Sequence, residues 1–227
     1  MSVWRVARLV AGKDLRVELR SRVVSNQVLP FAALVIVMFA FALENDTVLN
    51  RVAPGLVWLA ALFSLLVLVQ RAFAIETADG ALDALTVAGV RPGGIFLGKA
   101  LALAAQLAVL ELVVQVLAVV LYRAHVGSSG VVLLVCTFLA AVTSLAFVGT
   151  LYGGLSAGAK GRETLLPLLM LPVVAPVLIG ATRATEAALG TNGATSSEGW
   201  PWVGLLALFA AVFGIGGTYA FGSLIDA

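Results

Sequence analysis

One cysteine, Cys136, and one histidine, His125, stand among the 227 residues. The first excludes an internal disulfide framework and the second any zinc site built from histidine and cysteine. Charge is scarce too, at 11% of the chain against roughly 25% in an ordinary soluble domain. No glycine-lysine phosphate loop occurs, so the chain lacks that route to ATP hydrolysis. Near the one mid-span acid, Glu111, there is no second carboxylate, no nucleophile with a base and no metal cluster, which deprives a self-sufficient membrane enzyme of its parts. What is present is apolar: 61% hydrophobic residues and a mean hydropathy of +1.08 describe a chain solvated by lipid.

A transmembrane helix takes about 20 residues and a short connection about 10, so the length holds roughly six or seven spans and no soluble catalytic domain. The apolar runs predict a single all-α permease domain over 1–227, with spans at 28–43, 53–69, 95–122, 131–157, 165–181 and 202–224. The first is short and is expected to borrow from 23–27, tilt little or thin the bilayer. Residues 1–27 are amphipathic. Val3, Val6, Val10, Val17 and Val24 share one helical arc, and Arg5, Arg8, Arg16, Arg20 and Arg22 share another. The segment reads as a helix lying in the membrane surface. A secretory signal would have a shorter basic region and a small-residue cleavage site.

With the N-terminus inside, cytoplasmic segments hold 11 basic residues: Arg5, Arg8, Lys13, Arg16, Arg20, Arg22, Arg71, Arg91, Lys99, Lys160 and Arg162. The outside holds 3, Arg51, Arg123 and Arg183. Short loops rich in Lys and Arg stay cytoplasmic, so both termini are expected inside. The polar stretch Gly190 to Gly199 then lies outside, followed by Trp200 and Trp202 at the membrane interface.

The segment 70–94 is too polar to span and too patterned to be slack. On a helix Ile75, Ala78, Leu82 and Leu85 share one arc, while Glu76, Asp79 and Asp83 share another. Such a helix suits a groove on a soluble partner, its apolar side giving affinity and its charges orientation. The other reading is a loop helix covering the ends of its own spans. Gly80, costly within a helix, suggests a bend or close approach. Glu111, Gln115 and Tyr122 follow one face of the third span. They are candidates for a polar substrate path, and hydrogen bonding between helices explains them equally well. Pro167, Pro172 and Pro176 each delete a backbone hydrogen bond in the fifth span and are expected to kink it. Gly149 with Gly153, and Gly154 with Gly158, give overlapping small-xxx-small spacings for close packing within the chain or across a dimer. Lys160, Arg162 and Glu163 form a charged turn that either sets topology or meets the same partner.

Four segments in order then carry a likeness: Ala53-Pro-Gly-Leu-Val-Trp58, Glu76-Thr-Ala-Asp-Gly-Ala-Leu-Asp-Ala-Leu85, Gly98-Lys99 and Arg162-Glu163-Thr-Leu-Leu-Pro167. Together they resemble the CcmB family, heme exporter protein B of bacterial cytochrome c maturation, over nearly the whole chain. The resemblance implies an ABC-2 type permease with the type V exporter-like fold, in the bacterial inner membrane, working as a homodimer. It implies a separate ABC ATPase subunit (CcmA-like) that binds ATP, a haem-handling membrane protein (CcmC-like), a small single-span protein (CcmD-like) and a haem chaperone (CcmE-like). Haem enters as cargo; no intrinsic cofactor, metal, catalytic residue or nucleic-acid partner is implied. Glu76, Asp79, Gly80, Leu82 and Leu85, with Asp83 of the same acidic stripe, would form the ATPase-coupling element. The chain departs from the family pattern in its short final tail and in the polar loop 190–199. Export of a lipid, drug or polysaccharide by the same kind of permease stays open as the alternative, and an interface through the first and fifth spans is expected by analogy with the superfamily.

Overall fold

The computed structural model describes residues 2–43, 45–78, 89–122, 127–157 and 162–225, and among them no strand occurs. Helix α1 (Val3–Ser21) is capped by Ser2, whose hydroxyl accepts from the Arg5 N–H. It ends at Arg22, held in the left-handed conformation at φ 53°. A π-helical turn (Val24–Val28) leads into α2 (Leu29–Ala42), and Glu18 clamps the corner by accepting the Val24 N–H at 2.6 Å. The apolar helix is therefore Val24–Ala42, 19 residues long. The short first run is lengthened by the turn before it, where Pro30 has no N–H to return to Asn26 and a wider helical turn costs less.

Helix α3 (Asp46–Ala78) follows, then α4 (Pro92–Leu121), α5 (Ser128–Ser156), α6 (Arg162–Leu189), a 3-10 turn (Thr191–Gly193) and α7 (Ser196–Ile225). Six helices among the described residues are long and apolar enough to cross a membrane. Their outer faces are the inverse of a soluble protein's: Phe31, Met38 and Phe41 on α2 and Val109, Val116 and Val120 on α4 are exposed. Such faces suit hydrocarbon, and the chain is an all-α multi-pass membrane protein.

One boundary corrects the sequence expectation. Helix α3 does not stop near Val69; it runs through Gln70 to Ala78, because residues 70–78 contain no Gly or Pro and Phe73 continues its buried face. At 33 residues it is about 50 Å long, well beyond a hydrocarbon core of about 30 Å. Pro167, Pro172 and Pro176 all lie inside helix α6, which runs from Arg162 to Leu189.

Small residues set how closely the helices approach. A Cβ on Gly149 would stand 2.8 Å from a Val69 methyl, and one on Gly153 would stand 2.4 Å from the Phe73 ring. On the next position, a Cβ at Gly154 would meet the Phe221 ring at 2.4 Å. The Gly149 and Gly153 spacing is thus consumed inside the chain against α3, and Gly154 packs against α7, while Gly158 lies outside the described residues. Helix α1 is seated the same way: a Cβ on Gly94 would lie 2.7 Å from Val6 Cβ, and one on Gly98 would lie 2.6 Å from Val10 Cβ. The amphipathic helix is therefore packed on α4 and does not merely float in the membrane surface.

Polar side chains tie the bundle at isolated points. The Trp58 indole donates to Thr185 Oγ1 at 2.9 Å, joining α3 to α6, and the Ser144 hydroxyl donates to the Leu206 carbonyl at 2.7 Å, joining α5 to α7. Between helices in lipid, where apolar contact gives no selective advantage, such bonds and close packing hold the arrangement.

Candidate functional site

The densest group of charged residues lies where α1, the end of α3 and the start of α4 meet. From α1 come Lys13, Asp14 and Glu18; from α3, Arg71 and Glu76; from α4, Lys99. Glu76 Oε1 accepts from Lys99 Nζ at 3.0 Å and also from Lys13 Nζ. Lys99 Nζ lies 3.4 Å from Asp14 Oδ2, and Lys13 Nζ lies 3.2 Å from Asp14 Oδ1. Lys99 also stands 5.0 Å from the centre of the Phe73 ring, within cation–π range. Arg71 Nε and Glu18 Oε2 form a looser pair at 3.7 Å.

Burial makes these pairs consequential. The side chains of Lys99 and Glu76 are 2% and 3% exposed. Each would be expensive to bury alone, and removing one partner leaves the other uncompensated. Burial pulls the Lys13 ammonium down, but its hydrogen bond to Glu76 and the charge of Asp14 outweigh that and hold it above the ordinary lysine value. Its stabilising contribution is therefore complete below that range and is lost only as pH climbs past it. The six groups border an open cleft of about 210 Å³ together with Leu68, Ala102 and Leu103.

This placement corrects the sequence expectation for Glu76. The carboxylate does not belong to an acidic stripe offered to a soluble partner; it turns inward onto Lys99 and Lys13. Asp79, Gly80, Leu82, Asp83 and Leu85, expected beside it, lie outside the described residues, as do His125 and Lys160. The signal for the junction was present in α1. Lys13 and Asp14 flank the valine arc, one at each edge, and so lie nearer the apolar face than any of the arginines. Lys99 gave a second signal, as a charge more than a turn inside an apolar helix.

Glu111 and Gln115 are brought together within α4. The Gln115 amide donates to Glu111 Oε1 at 3.4 Å, while Glu111 Oε2 is buried without a partner. Tyr122 has a different job: its hydroxyl donates to the Ile36 carbonyl at 2.9 Å, tying the far end of α4 to α2. Gln115 and Tyr122 border a cavity of about 20 Å³ with Pro54, Val57 and Thr185. That is room for a single water, far below the roughly 300–1,000 Å³ of a ligand pocket.

A family model described as CcmB protein matches residues 5–226. Among curated proteins, heme exporter protein B of Rhodobacter capsulatus is 32% identical over 186 residues, covering 81% of this chain and 84% of that one. The protein of the same name from Haemophilus influenzae is 30% identical over 204 residues, 89% of this chain and 88% of its own length. That of Escherichia coli K12 is 32% identical over 209 residues, 83% of each.

Proposed function

The chain belongs to the CcmB protein family, and from that premise we propose that it is the membrane permease subunit of an ABC-type heme export system serving cytochrome c maturation. It works as an ABC-2 type homodimer in the inner membrane with both termini cytoplasmic. ATP is bound and hydrolysed by a separate ATPase subunit. The haem-handling membrane protein, the small single-span protein and the haem chaperone complete the assembly, and haem is the cargo of that assembly.

The observation that supports this reading is the buried junction of Glu76, Lys99 and Lys13. It anchors the end of α3, immediately before residues 79–88, to both α1 and α4. A soluble ATPase docking on Asp79, Gly80, Leu82, Asp83 and Leu85 would push on α3, and the ion pairs would carry that displacement into α4. Glu76 is thus reassigned from the docking surface to the transmission point behind it. Helix α4 carries Glu111 and Gln115, the candidates for a polar path that opens in another conformation, and the proline-bearing α6 is the span that bends to open it.

Reversing the charges at Asp79 and Asp83 should abolish co-purification of the ATPase while membrane insertion persists; retained ATPase would overturn the docking assignment. Deletion of the gene should remove c-type cytochromes, and normal cytochromes would instead favour a different exported substrate. Glu111→Gln should reduce transport-dependent cytochrome assembly, and unchanged assembly at every pH would remove Glu111 from the path.

A further inference from the structure

We infer that the corner between α1 and α2 gathers anionic phospholipid through the exposed arginines Arg16, Arg20 and Arg22. This surface depends neither on what the permease exports nor on where an ATPase docks. The valine side of α1 is taken up by α4, with Val6 and Val10 seated on Gly94 and Gly98. What the helix leaves outside is its arginine side, where Arg16, Arg20 and Arg22 are all exposed. Its two acids do not offset them there. Asp14 turns onto Lys13 and Lys99, and Glu18 onto the Val24 N–H and Arg71, their side chains only 15% and 13% exposed. Among the described residues no carboxylate pairs with Arg16, Arg20 or Arg22. The outward side therefore presents cations alone, and guanidinium groups match the geometry of phosphate.

Charge by itself would suit an acidic protein equally well, and position decides for lipid. Arg22 stands two residues before Val24, where the 19-residue apolar helix Val24–Ala42 begins. Arg20 and Arg16 follow within about 6 and 12 Å of Val24 along the helix. The polar headgroup layer is about 5–8 Å deep on each side of the hydrocarbon, and a surface charge acts over roughly 8 Å beyond it. All three arginines fall in that zone, whatever the tilt of α1.

The corner also has an apolar side for acyl chains. Arg22 borders an open cleft of about 460 Å³ together with Leu15, Leu19, Val24, Ala105 and Val109. Leu19 and Val109 are 75% and 61% exposed, which suits hydrocarbon and not water. Glu18 borders the cleft as well, but it is already engaged by Val24 and Arg71. Arg22 is itself held at φ 53°, a left-handed position that favours glycine, and here a long cation occupies it. Arginines interleaved with an exposed leucine at the end of an amphipathic helix are the composition that anionic bilayer surfaces attract.

The test places the full-length chain in phosphatidylcholine bilayers with a bimane fluorophore on Ser21→Cys, in the Cys136→Ala background. Ser21 is exposed and does not border the cleft. The bilayer is titrated with phosphatidylglycerol or phosphatidylcholine carrying a nitroxide close to the headgroup, which quenches the fluorophore on arrival. Each arginine near an anionic surface is worth about fivefold in affinity, so the glycerol lipid should half-quench at a mole fraction at least about tenfold lower. About 1 M salt should nearly abolish that preference. Combining Arg16→Gln, Arg20→Gln and Arg22→Gln should erase it, and the same three positions changed to Lys should keep it. Arg5→Gln with Arg8→Gln, at least about 18 Å from Arg20 along the same helix, should leave it in place. Equal quenching by the two lipids, a preference indifferent to salt, or no quenching by either because protein covers the corner would overturn the assignment in the native sequence alone. So would a preference that survives the triple Gln variant or disappears with Arg5 and Arg8.

Discussion

Replacing Lys99 with Met tests the ionic junction most directly, because it removes the charge and keeps a stem that still packs on Phe73. Lys99 and Glu76 are 3.0 Å apart, and both side chains are almost wholly buried. At an effective dielectric of about 20 their attraction is of the order of 5 kcal/mol. Much of that is offset in the native protein by desolvation, but the variant recovers only the lysine's share and leaves Glu76 buried. Lys13 remains on the same carboxylate oxygen, which places the cost near the lower end of the usual 3–5 kcal/mol for a broken buried pair, about 3 kcal/mol. Glu76→Gln should cost a similar amount, since it abandons Lys99 to Asp14 alone at 3.4 Å. Once either partner is gone, losing the other should cost little, so the double variant should be at least about 2 kcal/mol more stable than the sum of the single losses implies. Equilibrium unfolding in detergent micelles for the four members of the cycle measures this. Additivity within about 0.5 kcal/mol, or a cost below about 1 kcal/mol for Lys99→Met, would refute the junction as an energetic unit.

Other consequences can be checked alongside. Gly98→Ala puts a Cβ 2.6 Å from Val10 Cβ and 2.7 Å from the Ala7 carbonyl oxygen, so α1 must lift from α4 at a cost of about 1–3 kcal/mol; labelling of a Val10→Cys probe should speed up, and unchanged labelling would argue against the contact. Trp58→Phe removes the 2.9 Å bond to the buried Thr185 and should lower stability by about 1–3 kcal/mol in micelle unfolding, whereas an unchanged midpoint would deny that bond a structural share. Glu76→Gln should leave ATPase co-purification intact but weaken stimulation of ATP hydrolysis by the permease; if binding is lost instead, Glu76 belongs to the docking surface after all.

Hydrophobic runs and charge spacing made the architecture legible. Six apolar helices and an amphipathic leading helix follow from segments such as Ile95 to Tyr122 and from the valine and arginine arcs of residues 1–27. The end of α3 is less legible because its polarity mimics a break. Gln70, Arg71 and Glu76 lower the hydropathy without offering the backbone any alternative to helix, so the hydrogen-bond ladder continues to Ala78. Glu76 was misplaced for a related reason. Its spacing to Asp79 and Asp83 is a property of one helix, whereas its actual partners are 63 and 23 residues away, and no periodicity within a segment encodes a contact between segments. The glycine spacing of α5 is similarly ambiguous in sequence, and it is Phe73 against Gly153 and Phe221 against Gly154 that give it its partners.

The position of the junction gives a physical reason for α1 to be packed tightly where a membrane-surface helix could lie loosely. Val6 and Val10 sit against Gly94 and Gly98, so the backbones of α1 and α4 are held close enough for Lys13 and Asp14 to reach the start of α4 and the end of α3. Widening that contact would lengthen the Lys13 and Asp14 pairs together, because both residues ride on the same helix turn. Buried ion pairs of this kind favour discrete arrangements over gradual stretching, since a half-separated charge loses Coulomb attraction before it regains water. Under the coupling proposed above, a displacement applied at the end of α3 would have to break the pairs outright and solvate the Glu76 carboxylate, because stretching them part of the way is costly. That is the behaviour required of an element that turns the arrival of a partner at one end of a helix into a change of packing along its neighbour.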